Sequence, residues 1–314
     1  MLDSTMKNQI KEHLQKFVDS EAVARRKRRE EQKSFRIYKT IPIWNKCSLN
    51  LTFNCDPEKM FRQIFLNIEK DNEQKSEKDK IKKPEKLVKL VTENSLFHVS
   101  EFTKEHRKEL LDLLKIKISV FPVFDVVRVL MCHDKFVSDF WSDFELKNKV
   151  FERMADSKDF LEMAMASKIL SNFIAKKRKR PILNDEDIEI AKQVLRLLDN
   201  FYAKSTTLEK SKHCGMFRKS VVVVGSNLAI WTGRDNLNGL LDDYKKLMAA
   251  LLSFAEELTE EKVLKMAVTT IASLFLKIEK MEKTDKNGLN LALRLVQNYP
   301  NLKNLEEDLE KLIE

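Results

Sequence analysis

Hydrophobic positions recur along this chain at helical spacing. Met60, Phe61, Ile64, Phe65 and Ile68 share one face of a segment that Asp56 can cap and Pro57 can open. Ile188, Ala191, Val194, Leu195, Leu198 and Tyr202 form a second stripe, behind Asn184 as cap and a first turn of acids that suits the helix dipole. Leu241, Tyr244, Met248, Leu251, Leu252, Ala255 and Leu258 form a third. Between such amphipathic segments lie stretches that are apolar nearly all round: FLEMAMASKILSNFIA, KSVVVVGSNLAIW and, opened by Thr259, TEEKVLKMAVTTIASLFLK. A helix without a polar face has to be buried on most sides. The pattern predicts outer amphipathic helices alternating with inner apolar ones.

Two stretches resist this reading. VFPVFDVVRVLMCHDKF (120–136) and the four valines of KSVVVV are rich in β-branched residues, which favour strands, and periodicity does not arbitrate runs so short. Composition does. Five glycines and six prolines in 314 residues are too few for the turns of a sheet-rich protein. The expected fold is all-α. The alternation returns about every 45 to 55 residues, near the roughly 40 to 47 of armadillo and HEAT repeats. An armadillo-like α-solenoid is therefore expected, with an extended N-terminal lead-in. Residues 1–36 read as a charged N-terminal arm and 37–314 as the helical domain, within which 69–86 reads as a charged loop.

Charge biases the partner. With 58 basic and 49 acidic residues the net charge is +9. Most of these charges belong to solvated helix faces, and the surplus favours a nucleic acid, an anionic membrane or an acidic peptide. No apolar stretch reaches the ~18 residues of a membrane span, and the start lacks a signal peptide's apolar centre. Four cysteines without short paired spacing imply neither zinc nor a disulfide framework, so no metal or cofactor is expected. A reducing cytoplasmic or nuclear compartment fits. The cluster Arg25–Arg29 reads as a solvated arm or as a nuclear-import or nucleic-acid patch.

Polar residues interrupt the inner helices where a core would not want them: Arg128 and His133, Lys168 and Asn172, Ser226 and Asn227, Thr269 and Thr270. Such groups must be paired or must face a groove. Asparagines lining a concave surface can bond an extended peptide's backbone, and cations beside them can hold its carboxylates. Equally, each can satisfy neighbouring backbone, and Arg128 can pair with Asp125 three residues earlier.

These positions carry a resemblance. Phe121-Pro122, Asp125, Arg128 and His133 resemble the FPxxDxxRxxxxH segment of the PUL domain, the C-terminal module of the phospholipase A-two activating protein family. SKILSNF (167–173) resembles its LRTxCNxF helix, with Asn172 kept and Lys168 in place of arginine. VVVGSNLAI, with Asn227, resembles its ATLALNYSV helix, and IPIWNKCSLNLTFNCDPEKMFRQI resembles the segment leading into the domain. The resemblance implies an armadillo-like array whose basic groove binds the acidic C-terminal tail of the valosin-containing AAA ATPase, a segregase acting on ubiquitylated proteins. It assigns peptide binding to Arg128, Lys168, Asn172 and Asn227. Lysine at 168 lacks arginine's planar fork. Full-length members carry a β-propeller and a small ubiquitin-binding domain ahead of this module. Here a charged arm stands there, so ubiquitin is expected only indirectly.

Lys176, Lys177, Arg178, Lys179 and Arg180 form a basic patch beyond the family pattern; it extends the groove's field, acts as an import signal, or is simply solvated. No catalytic constellation is evident. His98, His106, His133 and His213 are scattered, and the neighbours Cys132-His133 and His213-Cys214 are ill placed for thiol catalysis. There is no GxSxG elbow and no Gly-rich phosphate loop. The expectation is a non-catalytic adaptor, with a nucleic-acid-binding solenoid, or a diverged PUL paralogue taking another acidic peptide, as the alternatives.

Overall fold

Asp56 accepts a hydrogen bond from the Lys59 amide at 3.1 Å and Pro57 stands in the first turn, so the first helix, α1, spans Pro57–Asn72. The structure, a computed structural model, describes residue 40 and residues 56–92, 100–177, 185–232, 239–279 and 286–314. The helices that follow are α2 (Glu85–Thr92), α3 (Lys104–Leu113), α4 (Phe121–Leu130), α5 (Asp134–Ser142), α6 (Phe144–Ala155) and α7 (Phe160–Lys177). Then come α8 (Asp185–Ser205), α9 (Cys214–Thr232), α10 (Leu241–Ala255), α11 (Glu261–Glu279), α12 (Asn287–Gln297) and α13 (Lys303–Ile313). Among the described residues there is no strand, and the chain is all-α. The arm at 1–36, the Arg25–Arg29 cluster and the proposed cap Asn184 lie outside the described residues.

Packing sorts the helices into two rows. Helices α1, α4, α7, α9, α11 and α13 each pack on the next, and so do α2, α3, α6, α8, α10 and α12. Cross-contacts join α9, α10, α11 and α12 in sequence, and α5 bridges α6 to α7. This is a solenoid-like array. The first row is the inner one. In α9 every residue from Val224 to Thr232 is buried, and so are Ala267–Leu276 of α11.

Both valine-rich stretches are helical. Val123, Val126, Val127 and Val129 of α4, and Val221, Val222 and Val224 of α9, are at most 2% exposed. Burial of their apolar side chains outweighs a propensity deficit of a few tenths of a kcal/mol each, about 0.7 at most. The charged stretch 69–86 is more ordered than its composition suggests. Helix α1 continues to Asn72, whose side-chain amide clasps Ile81 from both sides: Nδ2 donates to the Ile81 carbonyl at 2.8 Å and Oδ1 accepts its amide at 2.8 Å. Ile81 is buried and a 3₁₀ turn, Glu77–Asp79, fills the bend.

Candidate functional site

Inner helices α4, α7, α9 and α11 run parallel, with their N-terminal ends on one rim. Near the starts of α4 and α7, the Val120 amide donates to Glu162 Oε1 at 3.3 Å; toward their ends, Asn172 Nδ2 donates to the Arg128 carbonyl at 3.0 Å. For α7 and α9 the corresponding pairs are Phe160 with Phe217, ring centroids 5.6 Å apart, and Ser171 with Asn227. Lys219, early in α9, pairs with Glu260 just before α11. Along this wall the side chains left partly exposed include Asp125 of α4, Lys168 and Lys176 of α7, and Met216, Lys219 and Val223 of α9.

Arg128 is not among them. It is 3% exposed, and its Nε and Nη2 both donate to Asp125 Oδ1 at 2.7 Å. Of the two roles open to it, the structure shows the pair with Asp125. Asn172 and Asn227 differ more sharply from the expectation that they present amides to a peptide, for both are fully buried. Asn172 Nδ2 donates to the Arg128 carbonyl and, at 3.2 Å, to Cys132 Sγ. Asn227 Nδ2 donates to Ser171 Oγ at 2.8 Å and to the Ser171 carbonyl at 3.2 Å. The physical reason is distance: inner helices stacked this closely place the amide against the neighbouring helix's backbone. The asparagines hold the wall together from within rather than forming its surface.

Lys168 keeps access to the surface. It is partly exposed, and its Nζ lies 3.6 Å from Met216 Sδ across the α7–α9 seam. Partial burial eases its deprotonation, as does the charge of Arg128, while Asp125 opposes both. Lys176 pairs with Asp134 at 2.9 Å. The rest of the basic patch, the Lys177 side chain with Arg178, Lys179 and Arg180, lies outside the described residues.

Sequence reading missed Met216 and Lys219. A signal was there: α9 opens on CGMFRKS, with no acid in its first turn and with Arg218 and Lys219 soon after, against the helix dipole. The acids that offset them come from the α10–α11 loop, where Glu257 meets Arg218 at 2.6 Å and Glu260 meets Lys219. At α9 the rim is thus basic on the inner helix and acidic just beyond it.

The chemistry-bearing residues of the opening motif serve the fold. His133 is fully buried and its Nδ1 accepts from the Phe136 amide at 3.1 Å, capping α5. Burial raises the pKa of Cys132, partly offset by Arg128 and Lys176, which leaves the thiol protonated and inert. Among the described residues no group of three His, Cys, Asp or Glu side chains could hold a metal ion, and no helix is long and apolar enough to cross a membrane.

Residues 48–310 match the PUL domain. The chain belongs to the PUL domain family. The match covers α1 through most of α13, so the two-row array is the PUL domain itself. PUL is a protein-interaction domain and not a known catalytic one. No curated protein matches the chain significantly.

Proposed function

We propose that this PUL domain is a non-catalytic adaptor whose inner wall docks the acidic C-terminal tail of the valosin-containing AAA ATPase. The adaptor serves ubiquitin-dependent protein turnover in the cytoplasm or nucleus, with ubiquitin itself engaged only indirectly. One observation carries the reading. Lys168 is a partly exposed ammonium group that forms no ion pair among the described residues, and it stands beside Arg128, whose charge Asp125 already meets. That leaves one local positive charge in need of an anion, on a family fold that binds proteins. A peptide carboxylate supplies it, in a charge-assisted hydrogen bond.

Lys219 and Arg218 support the same reading at the rim. Their partners, Glu257 and Glu260, are exposed, so an incoming acidic peptide can exchange with them at little cost. Attraction of this kind speeds encounter and weakens with salt. The test is isothermal titration of the ATPase's last ten or so residues into the full chain, with a charge-reversed peptide as control. Heat of binding that fades as salt rises supports the adaptor. Silence at low salt, or equal binding of the reversed peptide, ends it.

A further inference from the structure

Lys168 differs from the other cations of the wall in what surrounds its nitrogen. Arg128 reaches Asp125 at 2.7 Å, Lys176 reaches Asp134 at 2.9 Å, and Lys219 pairs with Glu260. Lys168 Nζ lies instead 3.6 Å from Met216 Sδ, a neutral and weakly accepting atom. From α4 it faces Arg128 and Asp125, the latter already bound by two guanidinium nitrogens; from α9 it meets the uncharged Met216, one turn before Lys219, which Glu260 pairs. A like charge at hand and partial loss of water both favour the neutral amine, which is the nucleophilic form of lysine.

We propose that Lys168 is a site of acylation. Its amine attacks the carbonyl carbon of an acyl thioester; the N–C bond forms, the C–S bond breaks, and the proton shed by nitrogen leaves on the thiol. The product is an uncharged amide. Arg128, which cannot react in this way, stays paired with Asp125, so the modification removes the local charge that has no carboxylate partner among the described residues. Lys168 therefore makes the wall's charge removable. The consequence for docking rests on the proposed function: acylated at Lys168, the domain releases the acidic tail.

The test incubates the full native chain with acetyl-coenzyme A near neutral pH and follows each lysine by peptide mass spectrometry. Lys168 is expected to react at least about threefold faster than exposed lysines such as Lys59 and Lys262, since each unit of easier deprotonation yields roughly tenfold more neutral amine. Its rate is also expected to level off at lower pH than theirs, which access alone would not produce. Lys168→Arg keeps the charge and loses the modification. Lys168 reacting no faster than Lys59 and Lys262, with the same pH profile, overturns the proposal. Tail titration separates the two readings. If the unmodified chain never binds the tail while Lys168 reacts first, the adaptor reading fails and the acylation site stands. If the tail binds and Lys168 is slow, the acylation site fails alone.

Discussion

The side-chain amide of Asn172 donates to the main-chain carbonyl of Arg128 across 3.0 Å, tying α7 to α4 inside the array. One layer further on, Asn227 repeats the arrangement against Ser171, tying α9 to α7. These bonds join helices that are far apart in sequence, so they fix the spacing of the layers on which every surface position of the wall depends.

Asn172→Ala is accordingly expected to act on stability rather than on recognition. It strips a buried carbonyl and a thiol of a donor and leaves a small void, a loss of about 1–3 kcal/mol. Urea denaturation should show a lower midpoint with an unchanged slope, while the fraction still folded binds the tail peptide as before. A stable variant with weakened binding would return Asn172 to the surface of the wall.

A second polar contact makes stability depend on pH. Thr103 caps α3 and His106 completes a capping box, its Nδ1 accepting from the Thr103 amide at 2.9 Å. Only an unprotonated Nδ1 accepts. Partial burial holds the His106 pKa below its ordinary 6.5, with Lys86 assisting and Glu109 and Glu105 opposing. A folded-state pKa that is depressed means the contribution is complete above about 6.5 and is lost as pH falls through the folded value. His106→Gln keeps an acceptor at the same capping position, so stability near pH 7.5 should be preserved and the acid-side decline reduced. An identical decline in the variant would show that other groups cause it.

How much of this was legible in the sequence depends on whether a residue's meaning lies on its own helix. The stripe Met60–Ile68 with its Asp56 cap, and the apolar inner helices, announce themselves because helix period and capping are local. Asn172 and Asn227 are legible as polar interruptions, but not which of their two roles, lining a groove or bonding neighbouring backbone, they take: a 3.6-residue period gives the face of a helix, not how near the next helix stands. The stretch 69–86 misled for a related reason. One buried isoleucine and one asparagine, Ile81 and Asn72, order it against a composition that suggests none. Lys168 has no ion pair among the described residues, and its neighbour across the seam is Met216 of α9, a residue with no motif signal.

The clasp between Thr40 and Asp308 joins residues even further apart. Thr40 donates its amide and its hydroxyl, the latter at 2.6 Å, to one oxygen of the fully buried Asp308 on α13. The family match begins at residue 48, beyond Thr40. A chain starting at 40 should melt close to the full-length protein. One starting at 48 loses both donors to a buried carboxylate, on the order of 3 kcal/mol, and Thr40→Val loses the hydroxyl alone. Hydrogen exchange should speed first in α13. Matching melting temperatures for the two truncations would mean the clasp contributes nothing to the array.

Charge at position 168 separates a binding wall from a merely basic surface. Lys168→Arg preserves a cation beside Met216 and offers a planar fork to a carboxylate, so tail affinity should hold or rise. Lys168→Glu places a carboxylate near Asp125 and facing an acidic peptide, and affinity should fall at least tenfold, about 1.4 kcal/mol or more. Because the position is partly exposed, neither change should move the urea midpoint as far as Asn172→Ala does. Removal of residues 1–36 serves as the counter-test. It takes away the Arg25–Arg29 cluster while leaving Thr40 in place, so tail binding should survive it. If instead the truncation abolishes binding and Lys168→Glu does not, the acidic partner is held by the arm, and the inner wall is only the scaffold behind it.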